Sequence, residues 1–97
     1  MRVADFIIQY LKNKNVNNFF SVTGRGTLFL NDALAREKGI KSFFFHHEQS
    51  AAFAAITTPN IDNSISCCMV STGCASTNTV TAVLSAWQDS LPVIFIS

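Results

Sequence analysis

The chain has 97 residues, of which 48% are hydrophobic and 13% charged, and its formal net charge is +1. That length holds one domain or part of one, the apolar content is too high for disorder, and the scattered lysines and arginines form no stripe able to neutralise nucleic-acid phosphates. No apolar run approaches the roughly 18 residues of a membrane span, and the N-terminus enters an amphipathic pattern without the features of a secretory signal, so a cytoplasmic setting is expected.

Val3, Phe6, Ile7, Tyr10 and Leu11 recur at helical spacing and predict a first helix, ended by the polar, Asn-rich segment 12–18. Phe19 to Val22 predicts a strand. Thr23-Gly24-Arg25-Gly26-Thr27 predicts a tight turn, its glycines permitting backbone conformations that other residues avoid. Leu28, Leu30, Ala33 and Leu34 predict a second helix closing near Gly39. Ser42 to Phe45 predicts a second strand, apolar on both faces. The alanine-rich stretch from Ser50 to Ile56 predicts a third helix, with Pro59 blocking its continuation. Ile65 to Val70 predicts a third strand. Ser71 to Cys74 turns into a fourth helix with the core stripe Val80, Val83, Leu84 and Trp87. Asp89 to Pro92 breaks that helix, and Val93 to Ile96 predicts a fourth strand.

Continuous apolar strands alternating with helices imply an α/β fold, a three-layer open parallel sheet covered on both faces. The last strand has no covering helix after it, so the fold is expected to be incomplete. The low charge content likewise implies surface covered by another chain or by further sequence. Cys67, Cys68 and Cys74 are a poor disulfide framework. On a strand, Cys67 and Cys68 face opposite ways and read as small, buried, reduced thiols.

In open α/β sheets, ligands bind beyond the carboxyl ends of the strands. Three loops leave those ends here: Thr23–Thr27, His46–Gln49 and Ser71–Asn78. Glu48 sits where a strand ends and a helix begins, a position that a helix dipole alone favours for a carboxylate. His46 and His47 face opposite ways on extended chain and do not pair as metal ligands, so no metal site is expected on this chain. Gly24-Arg25-Gly26 could cradle a phosphate on its amides but lacks a full phosphate-binding fingerprint, and a plain turn accounts for it. The hydroxyls of Ser71 to Asn78 are explained by helix capping. Cys74, near a helix start, lacks any base that the sequence can place beside it.

The order of these pieces resembles the N-terminal pyrimidine-binding domain of acetolactate synthase-like thiamine-diphosphate enzymes, a family of 2-oxo acid decarboxylases and carboligases. Val3-Ala4-Asp5-Phe6-Ile7 is similar to the family's opening helix. Phe20 to Gly24 resembles its strand and Val-Pro-Gly-Gly loop, and Asn31-Asp32-Ala33-Leu34 its "DAL" helix. His47-Glu48-Gln49 with Ala51-Ala52 resembles "HEQ-x-AA", Ser71 to Asn78 resembles "TSGPGATN", and Asp89 to Val93 resembles "DS-x-P-[VL]". Residues 1–97 would then be a partial pyrimidine-binding domain with the thiamine-diphosphate-binding fold.

The resemblance implies that Glu48 hydrogen-bonds N1′ of the cofactor's aminopyrimidine and so promotes deprotonation of the thiazolium. It implies cofactor contacts from Gly24, Gly73, Thr77 and Asn78, and substrate-side roles for Gly26, His47 and Gln49. It implies thiamine diphosphate as cofactor, with Mg²⁺ held by a second domain whose "GDG … N" motif does not occur here. It further implies a homodimer or tetramer with the site at a subunit interface and a 2-oxo acid as substrate. Thr23 and Cys74 depart from the family's prolines, Arg25 replaces a glycine of the loop, and the "GYAR" segment after Glu48 is missing. A non-catalytic α/β binding or dimerisation module, or a relative that has lost activity, is the alternative to an enzyme.

Overall fold

The computed structural model describes residues 1–97. Its elements are α1 (Val3–Asn13), β1 (Val16–Ser21), α2 (Leu28–Arg36), β2 (Lys41–Phe44), α3 (Glu48–Asp62), β3 (Ile65–Met69), α4 (Cys74–Thr77), α5 (Val80–Gln88) and β4 (Val93–Ile96). The strands form one sheet in the order β2-β1-β3-β4, with every neighbouring pair parallel. This is the expected α/β open sheet, with the helix after β3 split in two. No helix is long and apolar enough to cross a membrane.

Side-chain alternation along the two central strands divides the core into two layers. Phe19, Cys67 and Met69 join Ala4, Ile8 and Leu11 of α1 and Ala33 and Leu34 of α2. Phe20 and Cys68 join Ala51, Ala52, Ala55 and Ile56 of α3 and Ala82 and Ala86 of α5. Cys67 and Cys68 thus face opposite layers, as strand geometry requires. Burial pushes both thiols up from the ordinary 9.0 to about 12, whereas Cys74 is exposed.

Three expectations about burial are corrected. The stripe Val80, Val83, Leu84 and Trp87 does not face the core: all four are exposed, Trp87 by 82%, and the small residues Ala82 and Ala86 face the sheet instead. On α1, Val3, Phe6 and Tyr10 are exposed and Ala4, Ile8 and Leu11 point inward. β2 is not covered on both faces. It is an edge strand whose residues are all exposed, although Phe43 stacks on Phe20 with ring centroids 5.2 Å apart. On α5 the alanines let the helix approach the sheet closely, so the larger apolar residues on its other side are left outside; on α1 the bulky Ile8 and Leu11 fill the core, and the apolar residues of its second side remain exposed.

β1 begins three residues before the predicted Phe19, at Val16, which is buried and pairs with Ile65 across a register shift. Sheet pairing overrides the poor strand propensity of Asn17 and Asn18.

Pro59 does not end α3, which continues to Asp62. Proline has no N–H, so the carbonyl of Ala55, four residues earlier, loses its intrahelical partner. The buried Ser66 hydroxyl of β3 donates to that carbonyl and ties the helix to the sheet. Ser66→Ala is therefore expected to cost roughly 1–3 kcal/mol, the penalty of an orphaned buried carbonyl. In a Pro59→Ala background the restored N–H should take over, and the loss should shrink. Urea unfolding in both backgrounds measures this, and equal losses would mean that Ser66 does not compensate for the proline.

The buried thiols also set a pH dependence. Between pH 9 and about pH 12 the unfolded thiols have lost their protons while the native ones keep theirs. The native state then binds more protons, so stability falls as pH rises through that window and is unaffected by these thiols below it. A Cys67→Val/Cys68→Val variant should show a flatter alkaline slope of the urea midpoint. The same slope in both proteins would refute the assignment.

Candidate functional site

The chain leaves β1 to form β2 on one side and returns to form β3 on the other. The topological switch therefore lies between β1 and β3, at their carboxyl ends. The loop after β1 is a tight turn, with Thr27 N–H donating to Gly24 O at 3.3 Å and Leu28 N–H to Arg25 O at 3.4 Å. It meets the loop after β3 directly, as Gly26 N–H donates to Ser71 Oγ at 3.2 Å.

The glycines serve this contact. A Cβ on Gly26 would lie 2.6 Å from Ser71 Oγ, and one on Gly24 would lie 3.2 Å from Ser71 Cβ. Neither glycine has a positive φ. The expectation of unusual backbone conformation there is corrected: what the glycines supply is room for Ser71.

A polar chain underlies the turn. Asn31 Nδ2 donates to Thr27 Oγ1 at 2.9 Å, and Thr27 Oγ1 donates to Gly24 O at 3.3 Å. The Ser21 hydroxyl lies 3.1 Å from Asn31 Oδ1 and 2.9 Å from Met69 O. Ser21 and Thr27 are buried. Sequence reasoning assigned no site role to Ser21, Thr27 or Ser71. The available signal was a serine closing an apolar strand, followed by a threonine and an asparagine one helical turn apart.

The third loop carries Glu48. Phe45 N–H donates to Ser21 O at 2.9 Å, which holds the chain beside β1 after β2 ends. His47 is the N-cap of α3, its Nδ1 accepting from Gln49 N–H at 3.1 Å. Glu48 follows as the first residue of α3, where the orphan amides favour a carboxylate. It is half-buried. Asn78 Nδ2 donates to Glu48 Oε1 at 2.8 Å, and Oε2 has no protein partner.

Of the predicted site residues, the structure joins Glu48 to Asn78, sets His47 and Gln49 at the same helix start, and packs Gly24 and Gly26 on Ser71. Gly73 has φ +75° and no atom near its would-be Cβ, so its glycine serves the turn into α4. Thr77 Oγ1 donates to Cys74 O at 2.7 Å, and Ser76 Oγ to Gly73 O at 2.7 Å. The capping expectation is corrected here: these hydroxyls bond backward to carbonyls, and no side chain caps α4. His46, Gln49 and Cys74 are exposed.

Over residues 1–97 the chain matches the family described as thiamine pyrophosphate enzyme, N-terminal TPP binding domain. It is 31% identical over 94 residues to the acetolactate synthase large subunit of Haemophilus influenzae, covering 97% of this chain and 16% of that protein. It is 33% identical to the acetolactate synthase isozyme 1 large subunit of Escherichia coli, covering 97% and 17%. With the acetolactate synthase large subunit of Cyanidium caldarium the identity is 35%, covering 94% and 16%. The chain spans about a sixth of the length of these curated relatives.

The loop contact is open to a double-mutant cycle. Gly26→Ala should displace the Ser71 hydroxyl and lose its hydrogen bond, at a cost of about 1–2 kcal/mol. In a Ser71→Ala background the same substitution should cost less by at least about 0.5 kcal/mol. Unfolding free energies of the four proteins test this, and strict additivity would show that the two residues do not interact.

Proposed function

The chain belongs to the family of thiamine pyrophosphate enzyme N-terminal domains, and from that premise we propose that it forms the aminopyrimidine half of a thiamine-diphosphate site in an enzyme acting on a 2-oxo acid, by decarboxylation or carboligation. The observation that carries this reading is the Glu48–Asn78 pair. One carboxylate oxygen is held at 2.8 Å by the amide, and the other is free at the rim of the sheet. A fixed carboxylate with one free oxygen fits a ring nitrogen that exchanges a proton with it.

When bound, thiamine diphosphate supplies the electron sink for breaking or making the bond next to the 2-oxo group. The role of this chain is orientation and proton handling. Glu48 Oε2 would face the pyrimidine ring nitrogen and would accept its hydrogen bond when that nitrogen carries a proton, as in the imino form. Asn78 Nδ2 fixes the rotamer of Glu48 through Oε1. The His47 cap and the first turn of α3 fix the backbone that carries the carboxylate. Gly24 and Gly73 keep the neighbouring backbone close and free of side chains, with Thr77 on the same loop; Gly26, His47 and Gln49 lie toward the substrate.

No three His, Cys, Asp or Glu residues of this chain come together to hold a metal. These residues do not fit a diphosphate-bound Mg²⁺, and that half of the site belongs to a separate unit, contributed across an interface in a homodimer or tetramer. The exposed Val3, Phe6 and Tyr10 of α1 and Val83, Leu84 and Trp87 of α5 supply apolar surface for such an assembly.

The test is calorimetric titration of the complete enzyme with thiamine diphosphate and Mg²⁺, combined with turnover of pyruvate. Glu48→Gln should keep cofactor binding and lose about 100-fold or more in turnover. No binding at millimolar cofactor would end the thiamine reading. Full turnover in Glu48→Gln would end the assignment of Glu48.

A further inference from the structure

Arg25 is the only arginine of the chain without a carboxylate partner. Arg2 and Arg36 are both bound to Asp5, at 3.1 and 2.8 Å, and to Asp32, at 2.6 and 3.2 Å. That cluster of two cations and two anions is formally neutral. Arg25 lies beside it, lining an open groove of about 400 Å³ with Thr23, Gly24, Leu28, Asn31 and Asp32. Asp32 faces the same groove, but its charge is already met by two guanidinium groups. The charge of Arg25 is therefore unopposed.

Three polar groups beside the groove already have partners. Asn31 donates to Thr27, Thr27 to the Gly24 carbonyl, and the Gly26 amide to Ser71. The amides of Thr27 and Leu28 close the turn. The guanidinium is the cation of the groove without a carboxylate partner, and it stands between Gly24 and Gly26, both of which lie close to Ser71. A planar guanidinium recognises one carboxylate with two parallel hydrogen bonds.

We propose that this groove is a subsite for a second carboxylate of the substrate, so that Arg25 selects dicarboxylic 2-oxo acids over pyruvate. The inference rests on the function proposed above, since the Arg25 loop and Glu48 both follow the carboxyl ends of neighbouring strands, β1 and β2. Arg25 is exposed and unpaired, so its replacement leaves the fold intact.

Two measurements on the complete enzyme test the subsite separately from the chemistry. The first is the ratio of kcat/KM for 2-oxoglutarate to that for pyruvate. Arg25→Gln should lower it at least tenfold, and Lys41→Gln, an unpaired cation on the edge strand, should leave it unchanged. The second is calorimetric binding of glutarate, which has both carboxylates and no 2-oxo group. Arg25→Gln should weaken it at least tenfold without changing thiamine-diphosphate affinity. An unchanged selectivity ratio, or equal falls for both substrates, would overturn the proposal. So would glutarate binding that is absent or indifferent to Arg25. If the enzyme binds no thiamine diphosphate but binds glutarate through Arg25, the function proposed above fails and the carboxylate subsite stands.

Discussion

The Ser21 hydroxyl is fully buried where β1, β3 and α2 meet, within reach of a carbonyl of β3 and the side-chain amide of Asn31. A buried hydroxyl without a partner costs about as much as a lost hydrogen bond, so its neighbours must stay where they are. The ends of β1 and β3 are thereby fixed relative to each other, and Asn31 and Thr27 extend the restraint to the turn at Gly24. The Ser21 carbonyl, through the Phe45 amide, holds the chain that leads to Glu48. Both the groove at Arg25 and the carboxylate at Glu48 depend on this corner of the sheet. No buried side-chain polar atom in the structure lacks a partner, as such a restraint requires.

The two faces of the sheet solve the packing problem differently. On the α1 and α2 side, Ile8, Leu11, Leu34 and Phe19 fill the space between helix and strand. On the α3 and α5 side, Ala51, Ala52, Ala55, Ala82 and Ala86 bring the helices in close, with less apolar bulk under each turn. Close approach leaves α3 few ways to satisfy a backbone carbonyl freed by Pro59, and the hydroxyl of Ser66 is short enough to reach it. It also leaves the large side chains of α5 on the outside. The chain is therefore poor in charge and rich in apolar residues without having a correspondingly large core.

Legibility followed the same division. The element order, the parallel sheet and the loops at the strand ends could be read from apolar runs and their punctuation, because those depend on local periodicity. Burial could not be read on α1 and α5, because both helices carry apolar residues on two sides and alanine ranks low as a core signal. Glu48 could be placed at a helix start, and the order of the motifs pointed to the role proposed for it, but its bond to Asn78 spans 30 residues of sequence. The use of Gly24 and Gly26 also escaped local reasoning. Their constraint is Ser71, which arrives from another strand, so the turn itself carries no mark of it.

In the proposed function, the placement of the two charged groups separates chemistry from choice of substrate. Glu48 lies at the first turn of a fifteen-residue helix, held by a cap, the helix dipole and an amide from the α4–α5 segment. Altering any of these changes a carboxylate that the reaction needs. Arg25 lies at the tip of a turn whose position is set by its glycine neighbours and by the side chains beneath it, and its own side chain holds nothing in place. A residue at that position can change without disturbing Ser71, Thr27 or the strand ends. Substrate preference can therefore diverge at position 25 while the carboxylate, its amide partner and the sheet corner that aligns them stay the same. That is the pattern expected when specificity is carried by a loop residue on a rigid scaffold.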